Sequence, residues 1–295
     1  MSDKLEFRKL REFGEIINDM FQFVKQNFKP LMRTYIYLCG FFVLAGLFAA
    51  IMYQVGLQKI GFGTVSPANS NPFTRLNQIF TYNYFLVIVF AMLNYTAVIV
   101  SILSFISLYI KNGNQAPTVE EVWAYFKYYF LRVLGSSVVV SIFLIVCFLL
   151  CGIPFIYVFP AMSLFYPVMV LENGSFEYSF SRSFKLLKDQ WWVTAGAIFV
   201  VWIITYACMS MASMPGIILT MVSAFTKASD GMSTFVIIIA TVIQYVCQVF
   251  MILPVIGVTL CYFNLTERLE NTGLIERINQ FGNSETDLNA TPEDY

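Results

Sequence analysis

Histidine is absent from this 295-residue chain. That absence excludes His-assisted serine or cysteine nucleophiles, His-ligated haem, and His-based zinc or non-haem iron sites. Charge is scarce as well: 12% of residues are Asp, Glu, Lys or Arg, against about 25% in soluble domains. The six cysteines (39, 147, 151, 208, 247 and 261) all lie in apolar runs without metal-ligand spacing. They read as small packing residues. No cofactor or metal is expected.

Eighteen basic residues balance eighteen acidic ones, which gives no reason to expect a nucleic-acid partner. Apolar residues make up 58% of the chain, with 30 phenylalanines. A helix needs about 20 apolar residues to cross the hydrocarbon core. Six stretches qualify: Arg33 to Val55, Tyr82 to Ile110, Val133 to Leu150, Ile153 to Leu171, Trp192 to Met214 and Thr234 to Leu265. The sequence therefore predicts an all-α integral membrane fold of six transmembrane helices in three hairpins. Residues 1–32 form a cytoplasmic amphipathic segment, 33–265 the six-span domain and 266–295 a cytoplasmic tail. The first apolar run starts too late for a cleaved leader, so none is expected.

Lys and Arg set the orientation. Fifteen lie on one side: seven up to and including Arg33 at the edge of the first span, three between the second and third, three between the fourth and fifth, and two in the tail. Only Lys59, Arg75 and Lys227 lie on the other. Both ends are expected in the cytoplasm. Past Arg33 at the edge of the first, no charged residue lies inside any run, which speaks against proton or ion coupling. Asn94, Gln244 and Gln248 are the prominent intramembrane polar residues, the two glutamines four apart on one helix face. They read as interhelical hydrogen-bonding groups or as a polar cavity lining.

A pattern recurs three times: Phe23-Val24-Lys25-Gln26-Asn27-Phe28, Tyr125-Phe126-Lys127-Tyr128-Tyr129-Phe130 and Leu186-Leu187-Lys188-Asp189-Gln190-Trp191. Upstream at helical spacing lie Ile17 and Phe21, Val119 and Trp123, Phe180 and Phe184. Each copy predicts a short cytoplasmic amphipathic helix ahead of a hairpin, lying in the membrane interface or packing across the span ends. Phe21, Lys25, Phe28, Trp123, Lys127, Phe130, Phe184, Lys188 and Trp191 define this repeat. Thr118 and Glu121 form a potential capping box opening the second copy.

Prolines mark the expected irregularities. Pro154, Pro160 and Pro167 predict that the fourth span is not one straight unbroken helix. Met214-Pro215-Gly216 should end or bend the fifth, leaving 217–225 as a re-entrant or interfacial helix. Pro254 should kink the sixth. The loop at 56–82, with its glycines and Pro67 and Pro72, is too short for a domain. The tail from Gly282 has the composition of disordered chain.

Phe13-Gly14-Glu15-Ile16-Ile17-Asn18 through Phe28-Lys29-Pro30-Leu31, and Ser183-Phe184-Lys185-Leu186-Leu187-Lys188 through Trp191-Trp192, give the chain a likeness to a known family. It resembles bacterial inner-membrane proteins similar to the membrane domain fused to some glycerophosphoryl diester phosphodiesterases. The resemblance covers most of residues 13–265 and implies a helical bundle with short amphipathic helices. It does not carry the phosphodiesterase chemistry, since no catalytic barrel is present. A carotene-cleaving oxygenase label borne by some look-alikes fails here, because that family's iron is held by histidines.

The expected function is a non-catalytic scaffold or regulatory subunit of a membrane complex, with membrane lipids and other membrane proteins as partners. The alternative is a transporter or flippase-like protein for a lipid or apolar solute. An enzyme is not expected: the boundary carboxylates Glu172 and Glu177 form no recognisable pair. Topology is open to direct test. Reporter fusions after Gly113, after Gly174 and at Tyr295 should report cytoplasm, and fusions within Asn69–Asn71 and at Ser229 periplasm. A cytoplasmic signal at Ser229 would mean that residues 192–226 cross twice.

Overall fold

The computed structural model describes residues 4–61, 82–150, 152–225 and 230–270. The loop bearing Gly63, Pro67 and Pro72, together with Cys151, Ser229 and the tail from Gly282, lies outside the described residues. Among the described residues all regular structure is helical: α1 (Phe13–Gln26), α2 (Phe28–Gly61), α3 (Tyr82–Lys111), α4 (Val119–Leu149), α5 (Ile153–Leu171), α6 (Phe176–Leu187), α7 (Trp191–Phe225), α8 (Asp230–Cys247), a 3₁₀ turn (Gln248–Met251) and α9 (Ile252–Glu270). Six stretches are long and apolar enough to cross a membrane: Phe28–Leu57, Tyr82–Lys111, Val119–Leu149, Ile153–Leu171, Trp191–Val222 and Thr234–Glu270. The chain is a multi-pass helical membrane protein.

Contacts along the bundle fix the helix directions. α3 runs antiparallel to α2, with Cys39 Sγ 3.5 Å from Ser101 Oγ and the rings of Tyr53 and Tyr84 5.5 Å apart. α4 runs parallel to α2, pairing Tyr37 with Trp123 at 6.3 Å and Phe42 with Phe130 at 5.4 Å. Tight turns join α3 to α4 and α5 to α6. Gly113 and Asn114 take φ of 63° and 60°, and Asn173 takes 51°, left-handed values that Gly and Asn adopt most readily. Thr118 opens α4 through a reciprocal capping box with Glu121, at 2.9 and 3.4 Å.

The prolines act differently from expectation at two places. α5 is one continuous helix from Ile153 to Leu171 with Pro160 and Pro167 inside it. Pro154 sits in its first turn, where no N–H is needed. α7 likewise continues through Pro215 to Phe225, so 217–225 extend that helix. Membrane helices tolerate proline when Ser/Thr hydroxyls and neighbouring helices satisfy nearby backbone. Here Ser213 and Thr220 donate to the carbonyls of Ser210 and Ile217, at 3.2 and 2.7 Å. A Cβ on Gly216 would lie 3.1 Å from Ala240 Cα, so α8 presses closely at that point. Only the sixth apolar stretch breaks, at the 3₁₀ turn just ahead of Pro254.

The repeat also differs in form. Its first and third copies are separate helices, α1 and α6, whereas the second is the opening of the 31-residue α4. The first copy is interrupted at Asn27 and the third at residues 188–190. No such break follows Tyr129, and the helix runs on.

The buried stripe is rotated in each copy. α1 buries Ile16, Met20 and Phe23, with Asn27 just beyond. α4 buries Val122, Phe126, Tyr129 and Val133, and α6 buries Ser179, Ser183, Leu186 and Leu187. Phe126, Val133 and Leu187 apart, these sit one position before the expected stripes through Phe21, Trp123 and Phe184. Phe21 and Phe28 are 43% and 56% exposed, and Trp123 is 37% exposed.

The N-terminal arm before α1 folds back into the bundle. Leu5, Phe7 and Arg11 are buried. The Arg11 guanidinium, 1% exposed, donates to the carbonyls of Phe7 (2.7 Å), Lys9 (3.1 Å) and Glu6 and pairs with Asp19 at 2.8 Å. Its backbone N–H donates to Asn264 Oδ1 on α9 at 2.9 Å. Phe7 then packs against Phe23, Tyr109 and Phe263, with ring centroids 5.0, 6.0 and 5.5 Å away.

Removing one partner of a buried pair typically costs about 3–5 kcal/mol. Arg11→Met should therefore lower the unfolding free energy in detergent by about that amount. Lys9→Ala, at a side chain 50% exposed, should stay within about 0.5 kcal/mol. Equal, small effects at both positions would contradict the packing of the arm.

Candidate functional site

Where α3, α5, α6 and α9 meet, a cavity of about 470 Å³ opens, lined among others by Arg8, Lys111, Glu172, Tyr178, Arg182 and Glu270. Glu172, the C-cap of α5, is its hub. One carboxylate oxygen accepts from Tyr178 at 2.7 Å and the other from Tyr262 at 2.8 Å. Arg182 Nε lies 3.5 Å from the same carboxylate, and its terminal nitrogen pairs with Glu270. Tyr178 and Arg182 are four apart on α6, so one helix face delivers both. The hydrogen bond to Glu172 raises the pKa of Tyr178 above its ordinary value, with burial adding to the rise.

A second cavity of about 460 Å³ shares Lys111 and Glu172 and is walled by Tyr125, Tyr128 and Tyr129 of α4. Lys111 bonds the Tyr125 hydroxyl at 2.7 Å and sits 5.0 Å from that ring's centroid. Arg132 bonds Asn173 at 2.9 Å and the Gly174 carbonyl, tying α4 to the turn that follows Glu172. The arrangement is a charged, hydrogen-bonded knot across four helices. Glu177 takes no part in lining it and stands exposed in the first turn of α6, where a carboxylate favours the helix N-terminus. Among the described residues no three Cys, Asp or Glu side chains group as metal ligands would.

The three amides separate. Asn94 Nδ2 donates to Gln248 Oε1 at 2.6 Å, joining α3 to the 3₁₀ turn. Gln244 is exposed and lines a different cavity of about 270 Å³ with Gln54, Ser213, Thr220 and Thr241. The 3₁₀ turn begins at Gln248 and takes it out of the α-helical face it would share with Gln244.

The repeat residues are placed as follows. Lys127 Nζ lies 5.0 Å from the Trp123 ring centroid, and Trp123 stacks on Phe126 at 5.6 Å. Phe130 stacks between Phe126 and Phe42, at 4.9 and 5.4 Å. Phe184 packs half-buried beside Phe180 at 5.1 Å. Lys25 and Lys188 are exposed. Trp191 stacks on Tyr157 of α5 at 5.7 Å.

The buried Arg11 and the Glu172 knot escaped the sequence reading. The usable signals were local ones: an acidic residue closing an apolar helix, and Tyr178 and Arg182 at a four-residue spacing. No protein-family model, curated protein or solved structure matches the chain.

Two substitutions test the geometry through unfolding in detergent. Tyr262→Phe removes a hydrogen bond to a charged group, worth about 1.5–3 kcal/mol. Asn94→Ala should cost about 0.6 kcal/mol and at most about 1.7, whereas Gln244→Ala should be silent.

Proposed function

We propose that this protein is a non-catalytic scaffold or regulatory subunit of a membrane complex in the bacterial inner membrane. Both ends lie in the cytoplasm, the six spans form three hairpins, and the amphipathic segments before the odd-numbered spans line the cytoplasmic face. The basic-residue asymmetry between loops supports this orientation.

The observation that carries the functional reading is the state of Glu172. This boundary carboxylate lines two cavities, and its oxygens are committed to Tyr178, Tyr262 and Arg182. A general base needs a lone pair aimed at substrate. This one is spent on holding helices together.

A transporter or flippase-like role for a lipid or apolar solute is the second reading. The polar cavity around Gln244, between α2, α7 and α8, favours it, because transporters build their sites at such interfaces.

Alanine at Asn94, Gln244, Gln248, Glu172 and Glu177 separates the readings. A scaffold should lose abundance or co-purifying partner in graded fashion, with phenotype per folded molecule preserved. If one substitution abolished the phenotype while expression, insertion and partners stayed intact, a chemical or solute site would stand at that residue.

A further inference from the structure

A cavity of about 800 Å³ forms an apolar groove between α5 and α7. Both ends are tied. Trp191 Nε1–H donates to the Tyr157 carbonyl at 3.2 Å, and Trp202 meets Phe159 with centroids 6.3 Å apart. Between these ties the α7 wall carries Ala195 and Gly196, and a Cβ built on Gly196 meets nothing within 4 Å. Small residues between the two tryptophans thus leave a slot along the α7 wall.

An unfilled apolar slot forfeits dispersion contacts on both walls, and the medium facing these spans is hydrocarbon. The volume suits one small ligand, for which sites run about 300–1,000 Å³. An α-helix about 10–12 Å across would displace roughly twice the groove's volume over 20 Å. At the mouth Trp192 is 82% exposed. Exposed Lys185 and Lys188 precede it, and Lys near a membrane surface attracts anionic headgroups.

We propose that this groove holds one acyl chain of an anionic phospholipid, with the phosphate beside Lys188. The inference rests on the membrane-spanning reading of α5 and α7 and stands apart from the scaffold proposal. Losing it would leave partner co-purification untouched.

Three of the chain's four tryptophans line the groove, which supplies the readout. Purified protein in lipid-free detergent is titrated with phosphatidylglycerol dibrominated in one acyl chain, since bromine quenches indole fluorescence on contact. The expected result is quenching that saturates near one lipid per protein. Gly196→Phe should abolish the saturable part, and Lys188→Gln should weaken it about fivefold. Native mass spectrometry of the wild type should show one retained phospholipid, whether or not the Gly196→Phe protein folds. Quenching that rises without saturation and equally in both folded proteins would overturn the proposal. So would wild-type protein carrying no lipid, or a groove blocked by a co-purifying protein. Unchanged affinity in Lys188→Gln would overturn the placement of the headgroup.

Discussion

A guanidinium buried to 1% exposure cannot stand uncompensated, and Arg11 dictates how this end of the bundle is built. Three backbone carbonyls from residues 6–9 turn inward to receive it. To offer them, the arm must curl, and the curl drives Phe7 into the ring cluster of Phe23, Tyr109 and Phe263. The same residue's N–H reaches Asn264. Arm, α1, α3 and α9 become one unit. α9 in turn brings Tyr262 and Glu270 to the Glu172 knot, so that knot depends on a residue distant from it in sequence.

Close backbone approach supports the same unit. A Cβ on Gly257 of α9 would stand 2.8 Å from Val201 and 3.3 Å from Met20. Glycine there lets α7, α9 and α1 meet, and small residues at such crossings are the usual means of association when lipid is as apolar as the helix surface.

That last point explains what was legible in the sequence. Six apolar helices and the capping box follow from hydropathy and hydrogen-bond demand, and Asn94 bonds Gln248 between two elements. The facing of the repeat helices did not follow. In a soluble protein aromatic positions mark the core, but in a membrane protein they can equally face outward, as Phe21 and Trp123 do here. The tight faces instead carry Ser179, Ser183 and Asn27, whose side-chain groups can bond the preceding turn, as Ser183 does to the Ser179 carbonyl at 2.6 Å. Proline was misread for a related reason: helices in a membrane protein can continue through proline, as α5 and α7 do through Pro160 and Pro215. Arg11 was invisible because only the folded arm makes its cage.

Hydrogen exchange read by mass spectrometry on the detergent-solubilised protein tests the central claim most directly. The N–H groups of Leu5 and Arg11 bond Gln26 Oε1 and Asn264 Oδ1, so the peptide covering residues 5–12 should show protection at these amides, lost together with that of α1. Complete exchange of that peptide at the earliest time, with α1 and α3 still protected, would contradict the account: the arm would then be free, and Arg11 could not organise the bundle.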